Sequence, residues 1–286
     1  MNKKHIVGFS GGIDSQATAR WVLNRYPAED VILLNSDVGG NEHPITTEFI
    51  EAYSKQIHPV VTVTPIIADL GTRCKKGEGG ERRARYNEND VLSFDRLAEI
   101  KGMFPARRFQ FCTEHLKLKP SHRWIKENVI EKGFEFIRYA GVRRDESLKR
   151  REKKVESWDD YFNCVLVHPI VDWTKQMCFD YCKAHGEPIN ELYTLGFSRV
   201  GCAPCINSNK RDIFEWARRF PEMIDKVRAW EKSTGLSFFR KPFEDGSYRF
   251  VDDMVEWANT THGGKQKTLE ILWEPAACDS DYGLCE

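Results

Sequence analysis

The stretch "FSGGIDSQATARW" (Phe9–Trp21) decides the fold, because it joins a strand to a helix through a glycine turn. The preceding "HIVGF" is short and apolar, as is typical of a buried strand, and the residues that follow place apolar side chains at helical intervals. Gly11 and Gly12 let the backbone approach a ligand closely. Free N–H groups at a helix start form a socket for an anion, most often phosphate. The simpler alternative is a turn that binds nothing.

Further strands follow at the spacing expected of an α/β protein. Four more apolar, β-branched segments are predicted to be strands: "VILLNSD", "PVVTVTPII", "FEFIRYAG" and "CVLVHPIVDW". Strands that alternate with helices predict a parallel sheet of about five strands with flanking helices. Ligands bind beyond the carboxyl ends of such strands, where both the glycine turn and Asp37 fall.

The rest of the chain shows two changes of character. Residues 71–90 are glycine-punctuated, charged and without apolar period, which predicts a long loop. Near residue 190 the alternation of predicted strands and helices ends, and the sequence that follows has a helical pattern and contains cysteines. We therefore predict a nucleotide-binding α/β domain over 1–190 and a helical, cysteine-bearing C-terminal region over 191–286.

Bulk composition sets the expected environment. The 43 basic and 43 acidic residues balance, so net charge favours no class of partner. The sequence has no apolar run that could span a bilayer and no secretory signal, so we expect a cytoplasmic protein without a membrane partner. The nine cysteines are then better explained as thiols for a metal or for catalysis than as disulfides.

The glycine loop matches neither the Walker loop nor the dinucleotide fingerprint. "SGGIDS" (Ser10–Ser15) resembles the pyrophosphate loop of the N-type ATP pyrophosphatases and of the related phosphoadenosine-phosphosulfate (PAPS) reductase family, whose fold is adenine nucleotide alpha-hydrolase-like. The pattern is most similar to the iron–sulfur ATP pyrophosphatases of DNA phosphorothioation. Four further segments match that family in order: "FCTEHLKLKP" (111–120), "GVRRDES" (141–147), "VHPIVDWT" (167–174) and "INELYTLGFSRVGCAPC" (189–205).

The resemblance implies two sets of site residues. Nucleotide binding falls to Ser10, Gly11, Gly12, Asp14, Ser15 and Asp37. Catalysis falls to Asp14, Arg143, Arg144 and Glu146. Asp14 would help to hold Mg²⁺ or cap the helix, and Asp37 would reach a ribose hydroxyl or the metal, unless it is an ordinary turn acid. The two arginines offer planar forks for phosphate or sulfate, one of them oriented by Glu146. The alternative is a solvated basic segment.

The cysteines suggest a metal centre. Cys202 and Cys205 form a Cys-x-x-Cys pair, which suits zinc, an iron–sulfur cluster or a redox couple. Cys112 lies in a family segment that places a cysteine near this pair, although cluster-bearing relatives usually have two adjacent cysteines there. A tail cysteine would replace the missing ligand. We predict a [4Fe–4S] cluster held by Cys112, Cys202, Cys205 and Cys285 (or Cys278). Zinc at the same thiols, or a tail cysteine acting as a mobile nucleophile, are the alternatives.

The resemblance implies ATP-dependent sulfur transfer. ATP would be split to AMP and pyrophosphate, the AMP would activate a substrate oxygen, and sulfur would be delivered to that position. The implied partners are ATP with Mg²⁺, a cysteine desulfurase or other sulfur donor, and a nucleic-acid acceptor suited to the basic runs 82–85 and 143–154. A PAPS or adenosine-phosphosulfate (APS) reductase is the first alternative, and a sensing module that binds nucleotide without turnover is the second.

Overall fold

The computed structural model describes residues 3–106, 109–239, 247 and 249–260. Six strands form one sheet in the order β3-β2-β1-β4-β6-β5. Their bounds are β1 (Lys3–Gly8), β2 (Val31–Ser36), β3 (Val60–Val63), β4 (Glu135–Tyr139), β5 (Glu156–Asp159) and β6 (Cys164–Val167). Five of them run parallel, as predicted, and β5 is an additional antiparallel strand on β6 at the sheet edge.

Helices cover both faces of this sheet and build the second half of the described chain. They are α1 (Ile13–Leu23), α2 (Pro44–Gln56), α3 (Gly77–Arg83), α4 (Phe94–Lys101), α5 (Phe111–Thr113), α6 (Lys119–Ile125), α7 (Lys175–Ala184), α8 (Glu191–Thr194), α9 (Lys210–Arg219), α10 (Pro221–Thr234) and α11 (Val251–Asn259). Two π-helical turns, Glu114–Leu118 and Lys126–Ile130, follow α5 and α6.

The central strand β1 is apolar on both sides because it is buried on both sides. Ile6 packs with Leu34 and Val129 on one face, whereas Val7 packs with Ala19 on the other. From β1 the sheet continues to β2 and β3 on one side, and from β4 it continues to β6 and β5 on the other. The loop after β1 therefore lies at the switch point of the sheet, where open α/β sheets bind ligands.

The C-terminal helices pack against residues that precede the predicted boundary at 190. The rings of Phe94 and Trp230 stack with centroids 5.2 Å apart, and Phe104 meets Phe238 at 5.5 Å. One hydrophobic cluster thus includes residues from both predicted domains. The division at residue 190 stays a prediction.

The charged segment 71–90 has more secondary structure than its sequence suggests. It contains a 3-10 turn over Thr72–Lys75 and the helix α3. The buried guanidinium of Arg83 donates to the Gly71 carbonyl and pairs with Glu88 at 2.6 Å. Polar contacts to the backbone therefore order a segment that has no apolar period. Within the described residues, no helix is both long enough and apolar enough to cross a membrane.

Candidate functional site

The loop between β1 and α1 is braced from within. The Ser10 N–H donates to the Ser15 hydroxyl at 3.2 Å, and that hydroxyl donates to the Gly12 carbonyl at 2.8 Å. Gly11 has φ +76°, a conformation that side chains rarely adopt, and a Cβ there would lie 3.2 Å from Ile50. Helix α1 begins at Ile13, its N-cap residue Gly12 provides no side-chain cap, and Asp14 lies in its first turn. The turn has the form of an anion socket.

Gly141, just after β4, lies against the start of α1. A Cβ at this position would fall 2.6 Å from both the carbonyl carbon and the carbonyl oxygen of Asp14. Since Cβ atoms do not approach backbone so closely, only glycine allows this contact. Because position 141 has no side chain, the segment that carries Arg143 can lie next to the loop.

Asp14 and Arg143 form a buried ion pair across this contact. Nε of Arg143 lies 2.8 Å from Oδ2 of Asp14, and the two side chains are 7% and 4% exposed, respectively. Oδ1 of Asp14 is buried and has no hydrogen-bond partner among the described residues. Burial raises the pKa of Asp14, and the Arg143 charge opposes that rise. One carboxylate oxygen is thus left for a ligand or a cation.

Glu146 and Arg144 lie in the same "GVRRDES" segment as Arg143 but make different contacts. Glu146 accepts the Arg143 backbone N–H at 2.8 Å and pairs with Arg150, so it fixes the Arg143 main chain rather than either predicted guanidinium. Arg144 donates to the Lys153 carbonyl at 2.9 Å and pairs with Asp172. The contacts of its side chain therefore brace the 144–154 segment.

Helix α8 closes the loop from the other side. The Tyr193 hydroxyl accepts the Ile13 N–H at 2.9 Å, and Asn190 Nδ2 donates to the Gly11 carbonyl at 3.4 Å. Nζ of Lys175 lies 4.9 Å from the centre of the Tyr193 ring, and its charge also lowers the pKa of Asp14. No sequence motif assigns a role to Tyr193 or Lys175 individually. Tyr193 stands in a segment that resembles the family, which was the available signal.

The cysteine turn docks on the chain that follows β2. Cys202 forms an antiparallel bridge with Glu42, and the Ala203 N–H donates to the Asn41 carbonyl at 2.9 Å. Asp37, also in this connection, is half-buried and accepts the Gly40 N–H at 3.2 Å through Oδ1. The thiol pair and Asp37 thus belong to the same edge of the sheet as the phosphate loop.

Glu42 is a site residue that sequence reasoning missed. Burial, followed by the neighbouring Cys202, raises its pKa to about 8. No motif marks this glutamate, because the bridge that brings it to the cysteines joins segments 160 positions apart.

Of the predicted cluster ligands, Cys202 and Cys205 lie together. Cys202 and Cys205 are hydrogen-bonded through their side chains, and this bond together with burial raises the pKa of Cys205. Cys112 is the second residue of α5 and packs against the large hydrophobic cluster. Cys278 and Cys285 lie outside the described residues. Over residues 3–106, 109–239, 247 and 249–260, no three histidine, cysteine, aspartate or glutamate side chains form a metal-binding group. The described residues do not by themselves fit a four-thiolate centre.

The two basic runs differ in their surroundings. In 82–85, Arg82 and Arg85 pair with Glu78 and Glu99, respectively, so this run is largely used within the protein. In the segment 148–154, Lys149, Arg151 and Lys154 are exposed. This second segment is joined to the site through Arg144.

Comparisons with known proteins agree with these features. The sequence profile of the phosphoadenosine phosphosulfate reductase domain matches residues 4–208. An uncharacterised 37.8 kDa protein of Escherichia phage 186 is 31% identical over 99% of this chain and 96% of its own length. The adenosine 5'-phosphosulfate reductase of Salinibacter ruber is 32% identical over 40% of this chain and 43% of that protein.

A second reductase and a solved structure are also similar to parts of this chain. The adenosine 5'-phosphosulfate reductase of Geobacillus thermodenitrificans is 26% identical over 40% of this chain and 56% of the reductase, so the match spans about half of that protein. The crystal structure of the PAPS reductase from Candida auris, a phosphate complex, covers 72% of this chain and 83% of its own, with TM-score 0.46 and 16% identity.

Proposed function

This chain belongs to the phosphoadenosine phosphosulfate reductase domain family, and on that premise we propose that it binds ATP at Ser10–Ser15 and splits it to AMP and pyrophosphate. The observation that carries the proposal is the intact Ser-Gly-Gly-Ile-Asp-Ser loop with the Asp14–Arg143 pair buried beside it. The backbone N–H groups of this six-residue loop and helix start suit the pyrophosphate end of a triphosphate.

The proposed reaction is adenylation followed by sulfur transfer. An oxygen of the acceptor attacks the α-phosphorus of ATP, the bond from that phosphorus to the bridging oxygen breaks, and pyrophosphate leaves. Sulfur at the oxidation level of sulfide then attacks the carbon that bears the adenylated oxygen, and AMP leaves. A cysteine desulfurase persulfide together with a thiol reductant is one source of that sulfur.

The residues near the loop have separable tasks in this reaction. Arg143 would hold the phosphate whose charge rises as the bond breaks, since a guanidinium binds phosphate through two parallel donors. The unpartnered Oδ1 of Asp14, together with Asp37, suits Mg²⁺, which prefers carboxylate oxygens and would neutralise charge on the phosphates when bound. The iron–sulfur cluster stays a prediction, and no step of this reaction depends on it.

The test is calorimetry with ATP and Mg²⁺ on the full chain and on Ser10→Ala and Asp14→Ala. Ser10→Ala is expected to lose about 1.5–3 kcal/mol of binding free energy, the usual value for a hydrogen bond to a charged group. Asp14→Ala is also expected to weaken binding, because it removes a carboxylate proposed to hold Mg²⁺. Asn163→Ala, an exposed position in the β5–β6 turn, serves as the control and keeps the parent affinity. If both loop variants bind ATP like the parent, the loop is misassigned.

A sulfonucleotide reductase is the second candidate, favoured by the family profile and by the thiol pair at Cys202 and Cys205. Competition between ATP, APS and PAPS for the loop separates the two activities. Tighter binding of a sulfonucleotide, with sulfite released under a thiol reductant, would establish the reductase. ATP binding without pyrophosphate release from any acceptor would instead favour the sensing module.

The acceptor is proposed to be nucleic acid because the exposed basic segment 148–154 is joined to the site through Arg144. Contacts to phosphates make such binding salt-dependent. Replacing Lys149, Arg151 and Lys154 together by glutamine is expected to weaken DNA or RNA binding and flatten its salt dependence, while ATP affinity stays unchanged.

A further inference from the structure

The Tyr193 hydroxyl accepts a hydrogen bond from a backbone N–H at the start of α1, next to the glycine turn. Ile13 is the first residue of α1, and its N–H is one of the helix-start groups that have no partner within the helix. In this structure that N–H donates to Tyr193 Oη at 2.9 Å. A phosphate oxygen that accepts the same N–H must therefore displace the tyrosine hydroxyl.

The segment that carries Tyr193 continues directly into the cysteine turn. After α8, the Ser198 N–H and hydroxyl both donate to the buried Asp212, each at 2.9 Å. Lys175 donates to the Ser198 carbonyl while its Nζ lies over the Tyr193 ring. Cys202 follows four residues later, on its bridge to Glu42. Contacts through Tyr193 and Lys175 thus connect the phosphate loop to Ser198, and the chain runs from there to the thiol pair.

We infer that Tyr193 is a positioning residue that couples the two halves of the site: nucleotide phosphate displaces its hydroxyl from Ile13, and the freed α8 segment changes the accessibility of Cys202 and Cys205. The inference rests on the proposed function, because it requires a phosphate at the loop. It makes the state of the thiols depend on whether nucleotide is bound.

Removing the hydroxyl removes the competitor for the Ile13 N–H. Tyr193→Phe is therefore expected to bind inorganic pyrophosphate and ATP about 3- to 10-fold more tightly than the parent, the factor that one ordinary hydrogen bond represents. A purely structural tyrosine would give the opposite sign or no change. Unchanged or weaker affinity in Tyr193→Phe overturns the inference.

Tyr181→Phe is the matched control. The Tyr181 hydroxyl also accepts a hydrogen bond, from Asn24 Nδ2 at 3.0 Å, but this contact is between α7 and the residue after α1 rather than at the loop. Tyr181→Phe removes the same kind of atom as Tyr193→Phe, and it is expected to leave pyrophosphate affinity at the parent value. Thermal unfolding of both variants shows whether they remain folded.

The second readout is the rate at which iodoacetamide modifies Cys202 and Cys205, mapped on peptides. Pyrophosphate is expected to change this rate at least about 3-fold in the parent, and Tyr193→Phe without ligand should already react at the ligand-bound rate. A Tyr193→Phe variant that keeps the ligand-free rate of the parent contradicts the coupling.

The two proposals fail separately. If neither pyrophosphate nor ATP binds the parent in calorimetry, the proposed function is wrong. If both bind at the loop but Tyr193→Phe leaves affinity and thiol reactivity as in the parent, only the coupling is wrong.

Discussion

Arg143 lies against Asp14 with 2.8 Å between Nε and Oδ2, in a position where both side chains are almost fully removed from water. This pair joins the segment after β4 to the first turn of α1. Its chemistry follows from the guanidinium, which can hold Asp14 and a phosphate at the same time through different N–H groups.

Arg143→Lys keeps the charge and loses the planar fork. We expect turnover to fall about 100-fold, the range for removing one preorganised donor, with a much smaller loss of ATP affinity. Pyrophosphate release and calorimetry measure the two quantities. Arg151→Lys, in the exposed basic segment, is the control. Equal losses in turnover and affinity would assign Arg143 to ground-state binding, and no loss in either would remove it from the site.

Gly141→Ala places a methyl group against the Asp14 carbonyl, 2.6 Å from it. We expect α1 and the β4–Arg143 segment to separate, with a loss of about 2–3 kcal/mol in the free energy of unfolding and loss of ATP binding. Gly133→Ala is the matched control, because Gly133 has φ +80° and no atom near its Cβ position. It should cost about 1 kcal/mol and leave ATP binding intact. Similar effects of the two variants would contradict the steric account.

Glu187→Ala removes the centre of a buried polar network. Its carboxylate accepts from Arg20 Nε at 2.5 Å, Tyr53 Oη at 2.9 Å and Gln16 Nε2 at 2.8 Å. Because the change leaves the buried Tyr53 and Gln16 and the half-buried Arg20 without this acceptor, we expect a loss of about 3–5 kcal/mol in the free energy of unfolding. Urea denaturation measures it. Glu191→Ala, an exposed acid at the start of α8, should change stability by less than about 0.5 kcal/mol.

His115 makes stability depend on pH. Burial, with the charges of Lys101 and Lys119, lowers its pKa to about 4. A lowered pKa means that the folded state favours the neutral ring, so the full contribution is present above about pH 6.5 and is lost as the pH falls towards 4. We expect the parent to lose about 2–3 kcal/mol more than His115→Gln over that interval, measured by urea denaturation. Parallel pH profiles would contradict the assignment.

The cluster prediction is tested by anaerobic purification with iron and zinc analysis. We expect brown protein with about four irons per chain, the content of a [4Fe–4S] cluster. Cys202→Ser should remove the colour, and so should Cys285→Ser or Cys278→Ser but not both. Colourless protein with one zinc would keep the ligands and replace the metal. Metal retained in both tail variants would place the fourth ligand elsewhere.

The sequence predicted best the features that are local. The strand, glycine turn and helix at Phe9–Trp21 are set by nearby residues, so their positions are confirmed. Helical spacing also accounts for Cys178 and Cys182, which are four apart in α7 and are both buried. Strand β5 was missed because "ESWD" is short and charged, and it exists through pairing with β6.

Long-range contacts were harder to predict. Glu42 meets Cys202, and Tyr193 meets Ile13, through the packing of segments far apart in the chain. Neither contact has a spacing that a sequence pattern could reveal. The contacts that Arg144 makes in the fold depend on where residues 153 and 172 lie, and its contact with phosphate stays a prediction.

The bond between Ile13 and Tyr193 spans 180 positions, and it has a consequence for how the protein is made. The phosphate loop leaves the ribosome early, but the groups that close it are synthesised much later. Contacts this distant in sequence slow folding, because the entropy cost of closing a long loop comes before the favourable free energy of the contact is gained. The nascent chain therefore has its glycine turn without Arg143 or α8, and the site is completed only after Tyr193 has emerged. Nucleotide binding during synthesis would thus begin late and abruptly.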